Sequence, residues 1–301
     1  MSDEPLAYSN GEFVPRSRLV LDVADVGFVA GATVTDYMRT YGHRLFHQSE
    51  HRERFRADCK SCDIRLSPSD AELADAAERL IEHNAKLISA DEELSLITFA
   101  TPGPLGYMAG REGHGPATMA MHTFPMPWER YRRFFSEGIS LVVVGDLPRY
   151  GECFAHLNTA KHRSRIHWHL ARQHPLAKQH RDAIPAYRTA DGGLDTAIGA
   201  AMWLGRDRQF FAARHCLYSL SLRRIAGWLE ADGWQRAERY AGGTEAILAG
   251  SAFGVAGIRR VIAAEGEAEF AWPGPGLQSL ARQWNDDVGL DIVAQFLHHS
   301  A

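Results

Sequence analysis

Gly151-Glu-Cys-Phe-Ala-His-Leu-Asn-Thr-Ala-Lys161-His-Arg-Ser-Arg-Ile-His-Trp-His-Leu-Ala171 is the stretch on which the reading of this chain turns. Ahead of it, Ile139-Ser-Leu-Val-Val-Val-Gly145 has the composition of a strand. Behind Lys161, residues Ile166, Leu170 and Gln173 recur at helical spacing and predict a helix with one shared face. Lys161 therefore stands at a strand-to-helix junction, where an amine can be held against a pocket. Partial burial and neighbouring cations such as Arg163 or Arg165 favour a neutral amine able to attack a carbonyl carbon. A solvated lysine at a helix start is the alternative that this stretch alone leaves open.

The chain has 301 residues, of which 45% are hydrophobic and 23% charged, which suits a globular protein with room for two domains. No apolar run approaches the ~20 residues of a membrane helix, and Met-Ser-Asp-Glu at the start is acidic, unlike an export signal, so a cytoplasmic protein is expected. A net charge of -4 gives no general attraction to nucleic acid or to an anionic membrane. Four cysteines are too few for a disulfide scaffold. Cys59-Lys-Ser-Cys62 has no second pair, and His167 and His169 would point to different sides of a helix, so no metal site is expected.

Periodicity supplies a coarse organisation. Ser67-Pro68 reads as a helix start, and Leu73, Ala77, Leu80, Asn84 and Leu87 continue it to residue 89. Leu94–Ala100 and Ala117–Met121 have strand character across a glycine- and proline-rich loop at 102–116. Thr123-Phe-Pro-Met-Pro-Trp128 holds two prolines that keep their predecessors extended, which suggests a linker at 124–129 between a small domain (1–123) and a larger one (130–301). In the second half, Ala183–Thr189 and Leu194–Leu204 flank Asp191-Gly-Gly193 as a hairpin, and Gly205-Arg-Asp-Arg208 leads into Gln209–Ala213 as a second turn. Ser219 or Ser221 can cap a helix whose stripe is Leu222, Ile225 and Leu229, with Asp232-Gly233 at its end.

Nearly the whole chain resembles the class IV aminotransferases, the fold-type IV pyridoxal-phosphate enzymes that include branched-chain and D-amino-acid aminotransferases and aminodeoxychorismate lyase. The resemblance runs through Ser9-Asn-Gly-Glu-Phe-Val-Pro15, Asp25-Val-Gly-Phe-Val-Ala-Gly31 and Thr35-Asp-Tyr-Met-Arg-Thr-Tyr-Gly-His-Arg-Leu-Phe46, which look like the family's opening strands. It continues into Glu50-His-Arg-Glu-Arg54, similar to the family's glutamate-histidine-x-x-arginine helix. The fold it implies is α/β (α+β): a small N-terminal α/β domain and a larger, strand-rich pseudo-barrel domain.

The same resemblance implies the site. Lys161 would carry pyridoxal 5'-phosphate and act as the catalytic base, and Arg54 would hold the phosphate. Asp195, in Gly193-Leu-Asp-Thr-Ala-Ile-Gly199, stands where the family has a glutamate beside the pyridine nitrogen and is shorter by one methylene. The family's leucine-x-glycine-isoleucine-threonine-arginine turn matches Leu217-Tyr-Ser-Leu-Ser-Leu222, so Ser219 replaces the glycine, Leu220 the isoleucine, Ser221 the threonine, with its hydroxyl kept, and Leu222 the arginine. Ser251 and Ala252 correspond to a second phosphate contact, and Thr35 and Arg39 face the substrate by position. Transamination between an amino donor and a 2-oxo acid, in a homodimer, is the implied function. Two alternatives stand beside it: a lyase, suggested by the lysine-histidine-x-x-arginine run Lys161–Arg165, and a degenerate relative that binds the cofactor weakly or not at all.

Overall fold

The structure, a computed structural model, describes residues 4–299 apart from Arg111, His114, His215 and Tyr218. The chain forms two compact units. One comprises residues 1–126 and 160–164, the other 127–159 and 165–301.

In the first unit, β1 (Leu6–Ser9) and β2 (Glu12–Pro15) form a hairpin through Asn10 and Gly11, both at positive φ as such a tight turn demands. Asp25–Gly31 is not a strand. Asp25 caps a one-turn helix, α1 (Val26–Val29), by accepting the Gly27 N–H. There follow β3 (Val34–Tyr41), β4 (Arg44–Leu45), α2 (Gln48–Ser61), α3 (Asp70–Asn84), β5 (Leu94–Thr101) and β6 (Thr118–Pro125). Among the described residues the strands make one antiparallel sheet in the order β2-β1-β6-β5-β3-β4. Phe55 of α2 and Leu73 and Leu80 of α3 bury against Met38 and Leu96 of this sheet.

Helix α3 starts later than Ser67 suggests. Ser69 accepts the Glu72 N–H and the Glu72 carboxylate accepts the Ser69 N–H, a reciprocal cap that Ser67, followed three residues later by the shorter Asp70, does not make. It also ends at Asn84, whose side chain bonds both polar groups of Leu6 and the Thr123 hydroxyl. The segment read as a linker at 124–129 is mostly regular structure, since β6 runs to Pro125 and α4 begins at Trp128. Residues 160–164, read with the larger domain, group with the first unit. Lys161 C=O accepts the Thr35 N–H (2.9 Å), Arg163 N–H reaches Thr33 C=O (2.7 Å), and the Ser164 hydroxyl reaches Gly31 C=O (2.7 Å).

The second unit contains α4 (Trp128–Ser136), β7 (Ile139–Asp146), α5 (Ile166–Ala171), α6 (Pro175–Gln179), β8 (Ile184–Arg188), β9 (Leu194–Thr196), β10 (Ala200–Leu204) and β11 (Gln209–Ala212). It continues with α7 (Leu220–Ala231), β12 (Gln235–Arg236), β13 (Glu245–Gly250), β14 (Gly254–Ala263), β15 (Gly266–Glu269), α8 (Pro275–Val288) and α9 (Ile292–His298). The strand order is β12-β11-β10-β13-β14-β7-β8-β9, and β9 also pairs with β10, which closes the sheet into a pseudo-barrel. Leu141, Leu248 and Ile258 are fully buried in it. The buried Glu245 carboxylate accepts the Gly276 and Leu277 N–H groups at the start of α8.

Two local expectations change here. The run Leu194–Leu204 is two strands, because the Thr196 hydroxyl bonds both polar backbone groups of Gly199 and turns the chain. The face Ile166/Leu170 of α5 is exposed, at 68% and 56%, and Trp168 is buried instead, against the Tyr187 ring. The buried face of this six-residue helix is Trp168 and Ala171, three apart. No helix among the described residues is long and apolar enough to cross a membrane.

Candidate functional site

In the first unit, α2 places His51, Arg54 and Asp58 on one face, at spacings of three and four, and all three are buried. Asp36, on β3, meets two of them. His51 Nδ1 lies 2.6 Å from Asp36 Oδ1, and Arg54 donates from Nε (3.0 Å) and Nη2 (2.5 Å) to Asp36 Oδ2. Burial opposes ionisation of Asp36, yet the charges of Arg54, His51 and Lys161 hold it well below the ordinary carboxylate range. Burial pulls His51 down, against the attraction of Asp36.

Lys161 joins this group. Its N–H donates to Asp58 Oδ2 at 3.0 Å, while its C=O accepts from Thr35 N–H at 2.9 Å, so both main-chain polar groups are fixed and the side chain is half-buried. Burial raises the pKa of Asp58, and the Lys161 N–H works in the other direction. Thr35 and Arg39 share one face of β3, opposite to that of Asp36. The Thr35 hydroxyl donates to Thr98 C=O, and Arg39, fully buried, donates from Nε to Thr40 C=O and lies 4.1 Å above the Tyr41 ring.

Asp36, His51 and Asp58 were assigned no role from sequence. His51 and Asp36 lie inside motifs already singled out. Asp58 had only its place one turn beyond Arg54 as a signal.

In the second unit, Asp195 is buried on β9. Its Oδ1 accepts the Thr196 N–H, and it has no salt-bridge partner among the described residues. Burial raises its pKa to about 7, with Arg165 pulling the other way. Because a carboxyl so raised is protonated in the fold at pH values where it ionises in the unfolded chain, cofactor-free protein should lose stability as pH rises from about 4 through about 7. Asp195→Asn should flatten that slope in urea unfolding measured at pH 5 and 8; an unchanged slope would rule out this assignment.

Helix α7 begins at Ser219, not Ser221. The Ser219 hydroxyl accepts the Leu222 N–H, and its φ of -88° is extended backbone open to any residue, so the glycine expected at this position is not needed. The N–H groups of Leu220 and Ser221 and the hydroxyl of Ser221 have no partner among the described residues, nor has the hydroxyl of Ser251 in the turn between β13 and β14. Ala252 is buried beside it, and α7 packs on β13. Leu222, which replaces the family's arginine, is buried apolar, so no cation stands at that position.

A model of the family described as amino-transferase class IV matches residues 33–261. Among curated proteins, the D-alanine aminotransferase of Staphylococcus aureus (strain N315) is 34% identical over 77 residues, 26% of this chain and 27% of that protein. The D-alanine aminotransferase of Bacillus licheniformis is 28% identical over 138 residues, 46% of each. The chain thus aligns with about a quarter to just under half the length of these relatives. Solved structures share the fold over nearly the whole chain. The branched-chain amino acid aminotransferase of Escherichia coli has a TM-score of 0.78 at 16% identity, covering 96% of this chain and 95% of that one. The branched-chain aminotransferase of Thermoproteus uzoniensis, solved with norvaline, has 0.75 at 15%, covering 94% and 95%. A hypothetical aminotransferase from Mycobacterium tuberculosis, in a PLP-bound form, has 0.74 at 16%, covering 98% and 100%. With its family model matching well over half of its length, this chain belongs to the class IV aminotransferase family.

Proposed function

We propose that this protein is a pyridoxal-phosphate-dependent aminotransferase that exchanges an amino group between an amino acid or amine and a 2-oxo acid. The observation that carries the reading is the support around Lys161: a lysine fixed through both backbone polar groups, its charge bearing on a buried aspartate that also holds Arg54.

The groups present fit the cofactor part by part. Lys161 offers the amine for its aldehyde. Arg54, the N–H groups of Leu220 and Ser221, unpartnered among the described residues, and the hydroxyls of Ser221 and Ser251 beside Ala252 are donors suited to a phosphate. Asp195, buried with no salt bridge among the described residues, suits a protonated ring nitrogen, which would keep it ionised at neutral pH. When bound, the cofactor supplies an electron sink for negative charge at the substrate's α carbon. Lys161 would act as general base and general acid, taking the proton from the substrate's α carbon and returning it to the cofactor's C4′, beyond the nitrogen that joins the two. Asp36 orients Arg54, and Asp58 orients the Lys161 backbone. Thr35 and Arg39, on the β3 face away from Asp36, are our assignment for the substrate side, and a cytoplasmic homodimer is the assembly.

A lyase role is less well supported. Arg165, the arginine of the lyase-like run, donates from Nη2 to Ala197 C=O at 2.7 Å and so has a structural task. The test is reconstitution with pyridoxal phosphate followed by a screen of donors against 2-oxo acids. A visible absorption band and stoichiometric transfer of nitrogen without carbon–carbon cleavage are expected; colourless protein, or pyruvate released by cleavage, would overturn the proposal.

Asp58→Ala, which removes the acceptor for the Lys161 N–H, should lower kcat by about 10- to 100-fold, since small displacements of a catalytic group are costly. Asp58→Asn keeps an acceptor oxygen and should retain most of the activity. Equal losses in both variants would show that the hydrogen bond is not what matters.

A further inference from the structure

A cavity of about 550 Å³ lies wholly within the second unit, between the end of α4, the starts of β7 and β8, and β14. Its lining includes none of Asp195, Leu220, Ser221 or Ser251. Arginines dominate it. Six line the cavity against three carboxylates, in a chain whose net charge is -4.

The pairing of these charges is uneven. Arg133 donates from Nε and Nη2 to Glu137, the latter at 2.7 Å, and Arg260 lies 3.6 Å from Glu267. Arg172, Arg181 and Arg259 are exposed, and none makes a salt bridge or a side-chain hydrogen bond among the described residues. Six guanidinium groups against three carboxylates leave an excess of positive charge around the concavity, which attracts a multiply charged anion. The planar fork of arginine matches phosphate or carboxylate oxygens two at a time. Beneath the arginines the floor is apolar, formed by Ile184, Pro185 and Ile198 with Trp168 at its side, and the volume is that of a metabolite site.

We propose that this cavity binds a small polyanion, a molecule with at least two phosphate or carboxylate groups held by Arg172, Arg181 and Arg259. The site is independent of the pyridoxal-phosphate reading, since no residue is shared.

The test is calorimetric titration of the cofactor-loaded protein with inorganic pyrophosphate and, separately, with citrate. Ionic strength is held constant with sodium chloride, and Trp168 emission and the visible band are followed in parallel. Saturable binding of either probe with an unchanged visible band is expected, and the probe that binds identifies the anionic group. Arg172→Gln and Arg259→Gln should each weaken it by about tenfold or more, the worth of a charge-assisted hydrogen bond. Arg206→Gln, at an exposed arginine outside the cavity, should leave it unchanged. These are surface positions, so the fold should survive; matched circular dichroism and melting curves check this. Heat no greater than that of sodium chloride alone, binding undiminished in both variants, or displacement of the cofactor in step with the titration would each overturn the proposal.

Discussion

Lys161→Ala is expected to abolish amino-group exchange, lowering kcat by at least about 10³-fold, and to remove the visible band of the reconstituted protein. The structure makes this substitution unusually clean. Lys161 is tied down by its N–H to Asp58 and its C=O from Thr35, and alanine keeps both bonds. A loss of activity therefore reports on the amine rather than on the local backbone. Lys161→Arg sharpens the test: it retains a positive charge to bear on Asp36 but cannot be deprotonated to serve as nucleophile or base. It should be as inactive as the alanine variant while folding at least as well. Activity within tenfold of wild type in either variant would end the aminotransferase reading.

The largest effect on stability is expected from Asp36→Ala. Asp36 is 1% exposed and holds both His51 and Arg54, itself 7% exposed. Without it, the buried Arg54 guanidinium loses the carboxylate that accepts from its Nε and Nη2, and destabilisation by about 3–5 kcal/mol is expected in urea unfolding. The double variant Asp36→Ala/Arg54→Met should recover much of that loss, because an apolar side chain needs no counter-charge. If it recovers none, the pair matters for shape rather than charge.

The sign of the pH dependence follows from the depressed pKa of Asp36. Its contribution is fully present above the unfolded-state value, taken as 3.8, and is lost as pH falls through the lower folded value. Wild-type protein should therefore lose stability below about pH 4, and Asp36→Asn should lack that component.

Much of this was legible along the chain because it is encoded by neighbours. Gly205–Arg208 turns β10 into β11, and Ser219 caps the helix whose stripe is Leu222, Ile225 and Leu229. Helix α5 shows where such reading stops. Its apolar spacing put Ile166 and Leu170 on one face, but burial depends on what the helix meets, and it meets Tyr187 through Trp168.

By itself, then, the sequence determined the family pattern and the strand and helix character of most segments. Tertiary structure alone decided that Asp36 clasps Arg54 and His51, that Asp58 reaches the Lys161 N–H across 103 residues of chain, and that Arg172, Arg181 and Arg259 surround one cavity. The physical reason is range. Turns, caps and periodicity act over a few residues, whereas a hydrogen bond or a shared electrostatic field between distant segments exists only once packing has brought their atoms within a few ångströms.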